Sequence, residues 1–330
     1  METPLNLILI RLLADGECHS GEAIATHLGV SRAAVWKALR KTGEALGLEI
    51  VAVRGRGYRL PAPLELLDAG RILAALSPEA QTRIARIEIH DSIDSTNTRL
   101  MCEAAAGAAS GTLCLAERQT AGRGRLGRTW VSPFGANLYL SLLWRFPFGP
   151  ARIAGLSLAA GAAVAKTLRT AGARDIALKW PNDVLWQRRK VAGLLLEVAG
   201  EAHGPAHVVV GVGVNTHLEQ SQATAIDRPW TDLDQVLGHG AYSRNALAAG
   251  VADALTQTMD RFDREGLTPF LADWKRFDRY RGEEVELHWG LRTVRGRHVG
   301  LDAQGALRLD TGAGVQTFEA GEVSLRPTAD

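Results

Sequence analysis

Six apolar strand-like runs alternate with three long helical stretches through the middle of this chain, and that alternation limits the fold more than any other feature. The runs are RIEIHDSI (86–93), GTLCLAE (111–117), NLYLSLLW (137–144), IALKW (176–180), AGLLLEVAG (192–200) and HVVVGVGVN (207–215). The helical stretches are STNTRLMCEAAAG (95–107), ARIAGLSLAAGAAVAKTLRTAG (151–172) and SRNALAAGVADALTQTMDRFDREG (243–266). Helices must cover the apolar faces of a sheet, so the pattern implies an α+β or α/β layering. After Gly282 the period changes. EEVELHW, TVRGRHVGLD, ALRLD and VQTFEAGEVSLR are short strands between glycine turns, the pattern of a small all-β barrel.

Residues 5–60 form a different kind of unit. Leu5–Ala14 and Gly21–Gly29 read as helices, and Ser31 caps a third helix running SRAAVWKALRKTGEALG. LEIVAV and YRL then make a hairpin through the basic turn RGRG, Arg54–Gly57. Two helices joined tightly at Gly29 and Val30 and followed by a basic hairpin match a winged helix-turn-helix. In the third helix Ala34, Val35, Ala38, Leu39 and Leu46 share a packing face. Arg32, Trp36 and Arg40 recur on another face, with Lys37 and Lys41 alongside. That second face suits a major groove, and Arg54 and Arg56 at the hairpin tip suit phosphates. The DNA-contacting set expected here is therefore Ser31, Arg32, Trp36, Lys37, Arg40, Lys41, Arg54 and Arg56. PAP at 61–63 marks a linker.

At 330 residues the chain has room for two or three domains. Its net charge of +2 says little about partners, but basic residues cluster at 32–59, 118–128 and 188–190. Cys18, Cys102 and Cys114 are odd in number and lack C-x-x-C spacing, which argues against a disulfide framework or a zinc site and for a cytoplasmic protein. LNLILIRLL reads as a first helix and not a signal peptide, and no run approaches the roughly 18 apolar residues of a membrane span.

Four polar clusters interrupt the apolar strands. Ser95, Thr96 and Asn97 of DSIDSTN stand at a strand-to-helix junction, where capping alone explains them. ERQTAGRGRLGRTW holds G-x-G-x-x-G spacing at Gly122, Gly124 and Gly127. The dinucleotide reading fails, because ERQTA separates the glycines from the preceding strand and Pro133 and Gly135 preclude a following helix. The stretch instead suits a mobile loop closing on an anion through Arg123, Arg125 and Arg128, with Gln119 beside it. In KWPNDVLWQRRKVAGLLLEV, Lys179, Asn182 and Asp183 precede a short hairpin returning through Lys190. GVGVN lets a ligand approach the backbone at a strand end.

In this order and spacing, DSTN, GRGR-x-GR-x-W, SPFGANLYLSLLWR, KWPND, RKVAGLLLE and GVGVN resemble the bacterial biotin protein ligases. The winged helix makes the chain similar to the bifunctional type, which is also the biotin operon repressor. HLEQSQATAIDRPWTDL, expected to help cover the adenine, fits that pattern only loosely. The resemblance implies an α+β fold in three parts: a winged helix-turn-helix over 1–62, a mixed-sheet catalytic domain of the biotin/lipoate ligase type over 63–278, and an SH3-like β-barrel over 279–330. It implies ATP-dependent formation of biotinyl-5′-AMP and transfer of biotin to a lysine of the biotin carboxyl carrier protein of acetyl-CoA carboxylase. It further implies repression at operator DNA by a homodimer that biotinyl-5′-AMP promotes.

By the same resemblance Lys190, Arg123 and Arg125 are the catalytic candidates. The biotin set is Ser95, Thr96, Asn97, Gln119, Gly122, Arg123, Gly124, Arg125 and Lys190. The ATP and adenylate set is Arg123, Arg125, Arg128, Trp130, Asn182, Asp183, Lys190 and Asn215, with Trp130 stacking on adenine. Asn182 and Asp183 are expected to orient Lys190 or the metal. Mg²⁺ is expected to arrive with ATP, without a protein metal site. VLWQRRKVAGLLLEV reads as an edge able to pair with a second subunit. A lipoate ligase, or a biotin-sensing transcription factor without ligase activity, remain the alternatives.

Overall fold

The computed structural model describes residues 5–289, 292–319 and 323–327. Helices α1 (Leu5–Leu13), α2 (Gly21–Leu28) and α3 (Arg32–Leu46) precede a hairpin of β1 (Val51–Val53) and β2 (Gly57–Arg59). Ser20 and Ser31 cap α2 and α3 through their hydroxyls, and Gly29 ends α2 at φ 65°, where a left-handed residue lets the chain turn directly into α3. Leu9, Leu13, Ile24, Val35, Leu39 and Leu60 form a small core of their own.

Two short helices missed by the sequence pattern follow, α4 (Ala69–Ala75) and α5 (Pro78–Arg83). Next come β3 (Arg86–His90), α6 (Thr96–Ala105), β4 (Thr112–Ala116), β5 (Leu138–Phe146), α7 (Leu156–Thr170), β6 (Ile176–Lys179), β7 (Asp183–Trp186), β8 (Arg189–Gly200) and β9 (Ala206–Val214). The seven strands form one sheet in the order β3-β4-β5-β9-β8-β7-β6, in which only β3 and β4 run parallel. Helices α8 (Leu233–Leu237), α9 (Arg244–Glu265) and α10 (Thr268–Phe277) lead to a five-stranded antiparallel sheet. Its strands are β10 (Glu284–Trp289), β11 (Arg292–Leu301), β12 (Leu307–Asp310), β13 (Val315–Phe318) and β14 (Val323–Pro327), in the order β13-β12-β11-β10-β14. Of the GEVSLR ending, Gly321 and Glu322 lie outside the described residues.

Alternation along β5 and β9 divides the work of the sheet. Leu138, Leu140, Leu142, Val208, Val210, Val212 and Val214 enter the main core beneath α7 and α9. Tyr139, Ser141, Leu143, Val209, Gly211 and Gly213 fall on the opposite face, where α6 packs by Leu100 and Ala104. The site lies on that second face.

One segment meets a length-and-composition test that its packing answers, and one expectation needs correction. Pro150–Thr170 is long and apolar enough, by length and composition, to cross a membrane. It is not one helix: a 3₁₀ turn over Pro150–Ile153 gives way to α7 after Gly155, and α7 is a core helix. The segment VLWQRRKVAGLLLEV is not an edge either, because β3 and β6 occupy the edges. β7 pairs with β8 only as far as Gly193, so Leu195–Gly200 pairs with β9 alone among the described residues. The edge is thus confined to the second half of β8.

Candidate functional site

Two cavities meet on the glycine-bearing face of the sheet. The floor of the smaller one follows from register. Leu195, Gly211 and Ser141 align across β8, β9 and β5, as do Gly193, Gly213 and Tyr139. Small residues in the middle strand leave a trough, and the structure fills part of it with side chains from elsewhere. A Cβ on Gly211 would lie 2.2 Å from Asn97 Oδ1, and one on Gly213 would lie 2.4 Å from Trp130 Cε2. The glycines of GVGVN therefore admit Asn97 and Trp130 as well as any ligand.

Ser95 caps α6 by accepting the Thr98 N–H, which delivers Thr96 and Asn97 to the trough in the first helical turn. Gln119 Oε1 accepts from the Thr96 amide at 2.9 Å and from its hydroxyl at 3.1 Å. Asn97 Nδ2 donates to the Leu195 carbonyl at 3.1 Å and to Glu197 Oε2 at 2.9 Å. Ser141 Oγ lies 2.7 Å from Thr96 Oγ1 and 2.6 Å from Asn97 Oδ1. Arg123 Nη2 closes the group on Glu197 Oε2 at 2.6 Å. Ser95, Thr96, Asn97, Gln119, Arg123, Gly124, Arg125 and Lys190 all line this cavity, whereas Gly122 stands behind it. Ser141 and Glu197 went unseen because each is one polar letter inside an apolar strand. Period-2 alternation with Gly211 and Gly193 was the signal that marks them.

The loop over the trough is folded on itself. Gly122 O accepts from Trp130 N and Arg128 O from Gly124 N. Gly122 is required by close approach, since a Cβ there would lie 2.5 Å from Trp130 O, and Gly127 by its φ of 72°. Gly124 shows neither need.

The second cavity, of about 430 Å³, is lined by Arg125, Arg128, Trp130, Asn182, Asp183, Lys190 and Asn215 and walled by Ala225–Trp230. Lys190 Nζ sits 2.5 Å from Asp183 Oδ1 and 5.2 Å from the centre of the Trp130 ring. Burial raises the Asp183 carboxyl, but Lys190, Lys179 and Arg228 outweigh it and hold the group below the usual carboxylate range. The Asn182 side chain bonds to neither Lys190 nor Asp183 among the described residues: its carbonyl accepts from Arg125 Nη1 at 3.1 Å, and its amide donates to the Leu194 carbonyl at 2.7 Å. Asn215 donates to the carbonyls of Thr231 and Lys190 at 3.1 and 3.4 Å, fixing the wall. Burial pulls the Arg125 guanidinium down, with the Asp183 charge opposing. Its Nη2 and the Trp130 Nε1 are buried without a hydrogen-bond partner among the described residues. Orphaned donors of this kind beside a lysine make a cleft suited to an anion carrying a ring system.

Away from the cleft, Arg32, Trp36, Lys37, Arg40 and Lys41 lie exposed on α3, opposite buried Val35 and Leu39, and Arg54 and Arg56 are exposed in the hairpin turn. The Ser31 hydroxyl is engaged in capping at 3.2 Å. The Arg40 guanidinium stacks 5.2 Å from the Trp36 ring centre. This unit is tied to the cleft: Arg118, next to Gln119, donates to the Ala45 carbonyl of α3.

Comparison with known proteins places these features together. A profile of the Biotin/lipoate A/B protein ligase family matches residues 89–215, an HTH domain profile residues 4–59, and the biotin protein ligase C terminal domain residues 281–326. The chain is 41% identical to the bifunctional ligase/repressor BirA of Salmonella typhimurium, over 98% of each protein. It is 35% identical to a biotin–[acetyl-CoA-carboxylase] ligase of Paracoccus denitrificans, over 70% of this chain and 96% of that one. The structure of a biotin protein ligase from Aquifex aeolicus in complex with biotin and ATP superposes with a TM-score of 0.64 at 29% identity, covering 74% of this chain and all of the other.

Proposed function

Because the chain belongs to the bifunctional ligase/repressor BirA family, we propose that the paired cavities are the biotin and adenylate halves of one active site in an ATP-dependent biotin protein ligase that is also a DNA-binding repressor. The observation that carries this assignment is the buried, unpartnered Arg125 Nη2 beside Lys190, where the two cavities join. We assign the three functions to 1–62 for DNA, 63–278 for catalysis and 279–330 for the C-terminal sheet. The reaction places the protein in the cytoplasm, with its carrier substrate and operator.

The small trough suits the ureido ring, whose two N–H donors and one carbonyl meet the Thr96, Asn97, Gln119 and Ser141 cluster. The biotin carboxylate then points toward Lys190. In the first step a carboxylate oxygen bonds to the α-phosphorus of ATP and pyrophosphate leaves. In the second a lysine amine of the carrier protein bonds to the acyl carbon of biotinyl-5′-AMP, and AMP leaves. Both steps gather negative charge, which Lys190 and Arg125 neutralise, with Arg128 over the phosphate and Trp130 against adenine. Arg123 acts by holding Glu197, and through it Asn97. Of the carboxylates that line the second cavity, Asp183 turns its oxygens toward Lys190 and Lys179 at 2.5 and 3.9 Å, and Asp227 stands on the Ala225–Trp230 wall. Mg²⁺ would be carried in by the triphosphate and would supply further positive charge beside Lys190 and Arg125.

The side of Leu195–Gly200 turned away from β9, beyond the reach of β7 and with Val198 exposed, is the edge on which a second copy pairs antiparallel. Adenylate that orders Gly122–Arg128 lowers the entropy cost of that pairing, and the dimer presents two winged helices to a two-fold operator. The test combines pyrophosphate release on adding biotin or lipoate with ATP, and sedimentation and DNA binding with and without biotinyl-5′-AMP at several salt concentrations. Biotin-specific release and adenylate-dependent dimerisation are expected. Release driven by lipoate, or a monomer that binds its operator equally well without adenylate, contradicts the corresponding half of the assignment.

A further inference from the structure

Three side chains outside both cavities converge at the base of the segment that walls the adenylate pocket. His217 lies just past β9, Asp234 opens α8, and His239 follows α8. The Nδ1 atoms of both imidazoles lie 2.7 Å from the same atom, Asp234 Oδ2. The rings are 5.7 Å apart at 62°, and one ligand atom from each residue falls within 4.8 Å of the others. The remaining carboxylate oxygen, Oδ1, is held by Tyr242 Oη at 2.9 Å, and that hydroxyl also contacts the Thr216 carbonyl at 2.6 Å.

We propose that His217, Asp234 and His239 bind a late first-row divalent cation of the zinc class. Two imidazoles and a carboxylate are the borderline donors such ions prefer over the all-oxygen sets of Mg²⁺ and Ca²⁺. Both rings address one point, where the ion takes the place of the two shared protons. Tyr242 orients the carboxylate from behind, as an outer-shell partner does in established metal sites. Side-chain exposures of 50% for His217 and 69% for His239 leave an entry path and room for water as a fourth ligand. The other His/Cys/Asp/Glu group among the described residues, Glu88 with His90 and Cys114, is a poorer candidate. Glu88 already faces Arg86 at 2.7 Å, and burial pushes the Cys114 thiol up to about 12.

The position gives the ion a consequence. His217 and Asp234 are the two ends of the stretch that carries Ala225–Trp230, one wall of the 430 Å³ cavity. Within it Pro229 O accepts from Lys190 N and Thr231 N donates to Lys190 O, each at 2.9 Å. A cation at the base fastens this wall where it leaves and rejoins the fold, and so steadies the main chain of Lys190.

The test titrates the full-length protein with Co²⁺ alone. One equivalent with the intense visible absorption of a four-coordinate site is expected. His217→Ala and His239→Ala should each weaken binding at least tenfold, and Tyr242→Phe by about tenfold, within the range for outer-shell partners. Zn²⁺ should slow amide exchange across 218–232 in the parent chain and not in the double histidine variant. Both histidines are surface residues, so a variant that keeps its parental melting temperature without metal reports on the site itself. Equal Co²⁺ stoichiometry and affinity in parent and double variant overturns the site, and amide exchange indifferent to bound Zn²⁺ overturns the clamp.

Discussion

Removing the Lys190 ammonium tests two roles that the structure superimposes, and they can be separated. On the proposed assignment, Lys190→Ala removes the charge beside the reacting carboxylate and α-phosphate. Loss of one preorganised electrostatic stabiliser costs about 10²–10³ in rate, or roughly 2.7–4 kcal/mol. The substitution also strips Asp183 of its partner at 2.5 Å, leaving the carboxylate to Lys179 at 3.9 Å and to the field of Arg228. Severing a buried pair costs about 3–5 kcal/mol when both partners are fully buried. Side-chain exposures of 26% and 14%, with Lys179 still facing the carboxylate, place the stability loss below that, at about 1–3 kcal/mol.

The sign of the pH dependence follows from Asp183. Its folded-state pKa is depressed, so the pairing stabilises the fold above the ordinary carboxylate pKa, and that contribution is lost as pH falls through the folded value. The stability gap between parent and Lys190→Ala is therefore widest near neutrality and closes in acid. Adding Asp183→Asn to Lys190→Ala removes the orphaned charge and should restore most of the stability but none of the adenylation. Pyrophosphate release in single turnover and denaturant titrations from pH 7 downward read the two effects separately. Near-parental release by Lys190→Ala, or recovery of release in the double variant, refutes the electrostatic role.

Gly213→Ala places a methyl 2.4 Å from Trp130 Cε2, a contact that forces the ring off the trough. Overpacking of this kind costs about 1–3 kcal/mol, so ATP should bind roughly tenfold or more weakly in a nucleotide titration, and parental affinity would show that Trp130 does not shape the nucleotide cavity. Glu117→Ala leaves Arg244 buried and unpaired, since the two are 0% and 6% exposed and meet at 2.9 Å. Denaturant unfolding should report a loss of about 3–5 kcal/mol, and a loss under about 1 kcal/mol would count against the network. Replacing both residues by Met should recover only part of it, because Arg244 also serves the carbonyls of Glu65 and Asn137.

What could be read in advance was what is local. Ser31 and Ser95 act where a helix begins, and a cap is written within three residues of the side chain that makes it. The winged hairpin was legible because its turn and its flanking strands are contiguous. The sheet order was legible only in part, since β9 pairs back with β5 and β3 with β4 through pairings that no local pattern specifies, although β8 forms hairpins with its chain neighbours β7 and β9. Its apolar run looked the same whether at an edge or inside. Short α4, α5 and α8 carry too few turns to show a period, and α10 hides behind Pro269. Ser141 and Glu197 belong to the same class of omission, because their meaning depends on Asn97 and Arg123 arriving from other elements.

The glycines sharpen the point, because one residue type answers three different physical demands in this cleft. Gly127 supplies a positive φ, Gly122 a close approach of backbone to Ser132 and Trp130, and Gly211 and Gly213 a missing side chain that Asn97 and Trp130 occupy. Mobility is not needed to explain any of these four. Two of the loop's arginines are likewise engaged: Arg123 with Glu197 and one arm of Arg125 with Asn182, while the other arm of Arg125 is buried without a partner among the described residues and Arg128 is exposed. On the proposed reading, a loop built this way would close on its ligand by exchanging a few protein contacts for contacts to phosphate. Its first residues after β4 also bear on the rest of the molecule, Glu117 accepting from the Leu67 amide just before α4 and Arg118 donating to the Ala45 carbonyl near the end of α3. On that reading, a shift of the loop on binding would act directly on the Arg118 contact to α3, one of the contacts, with the Arg11–Asp91 ion pair, that join the helical unit to the rest of the chain.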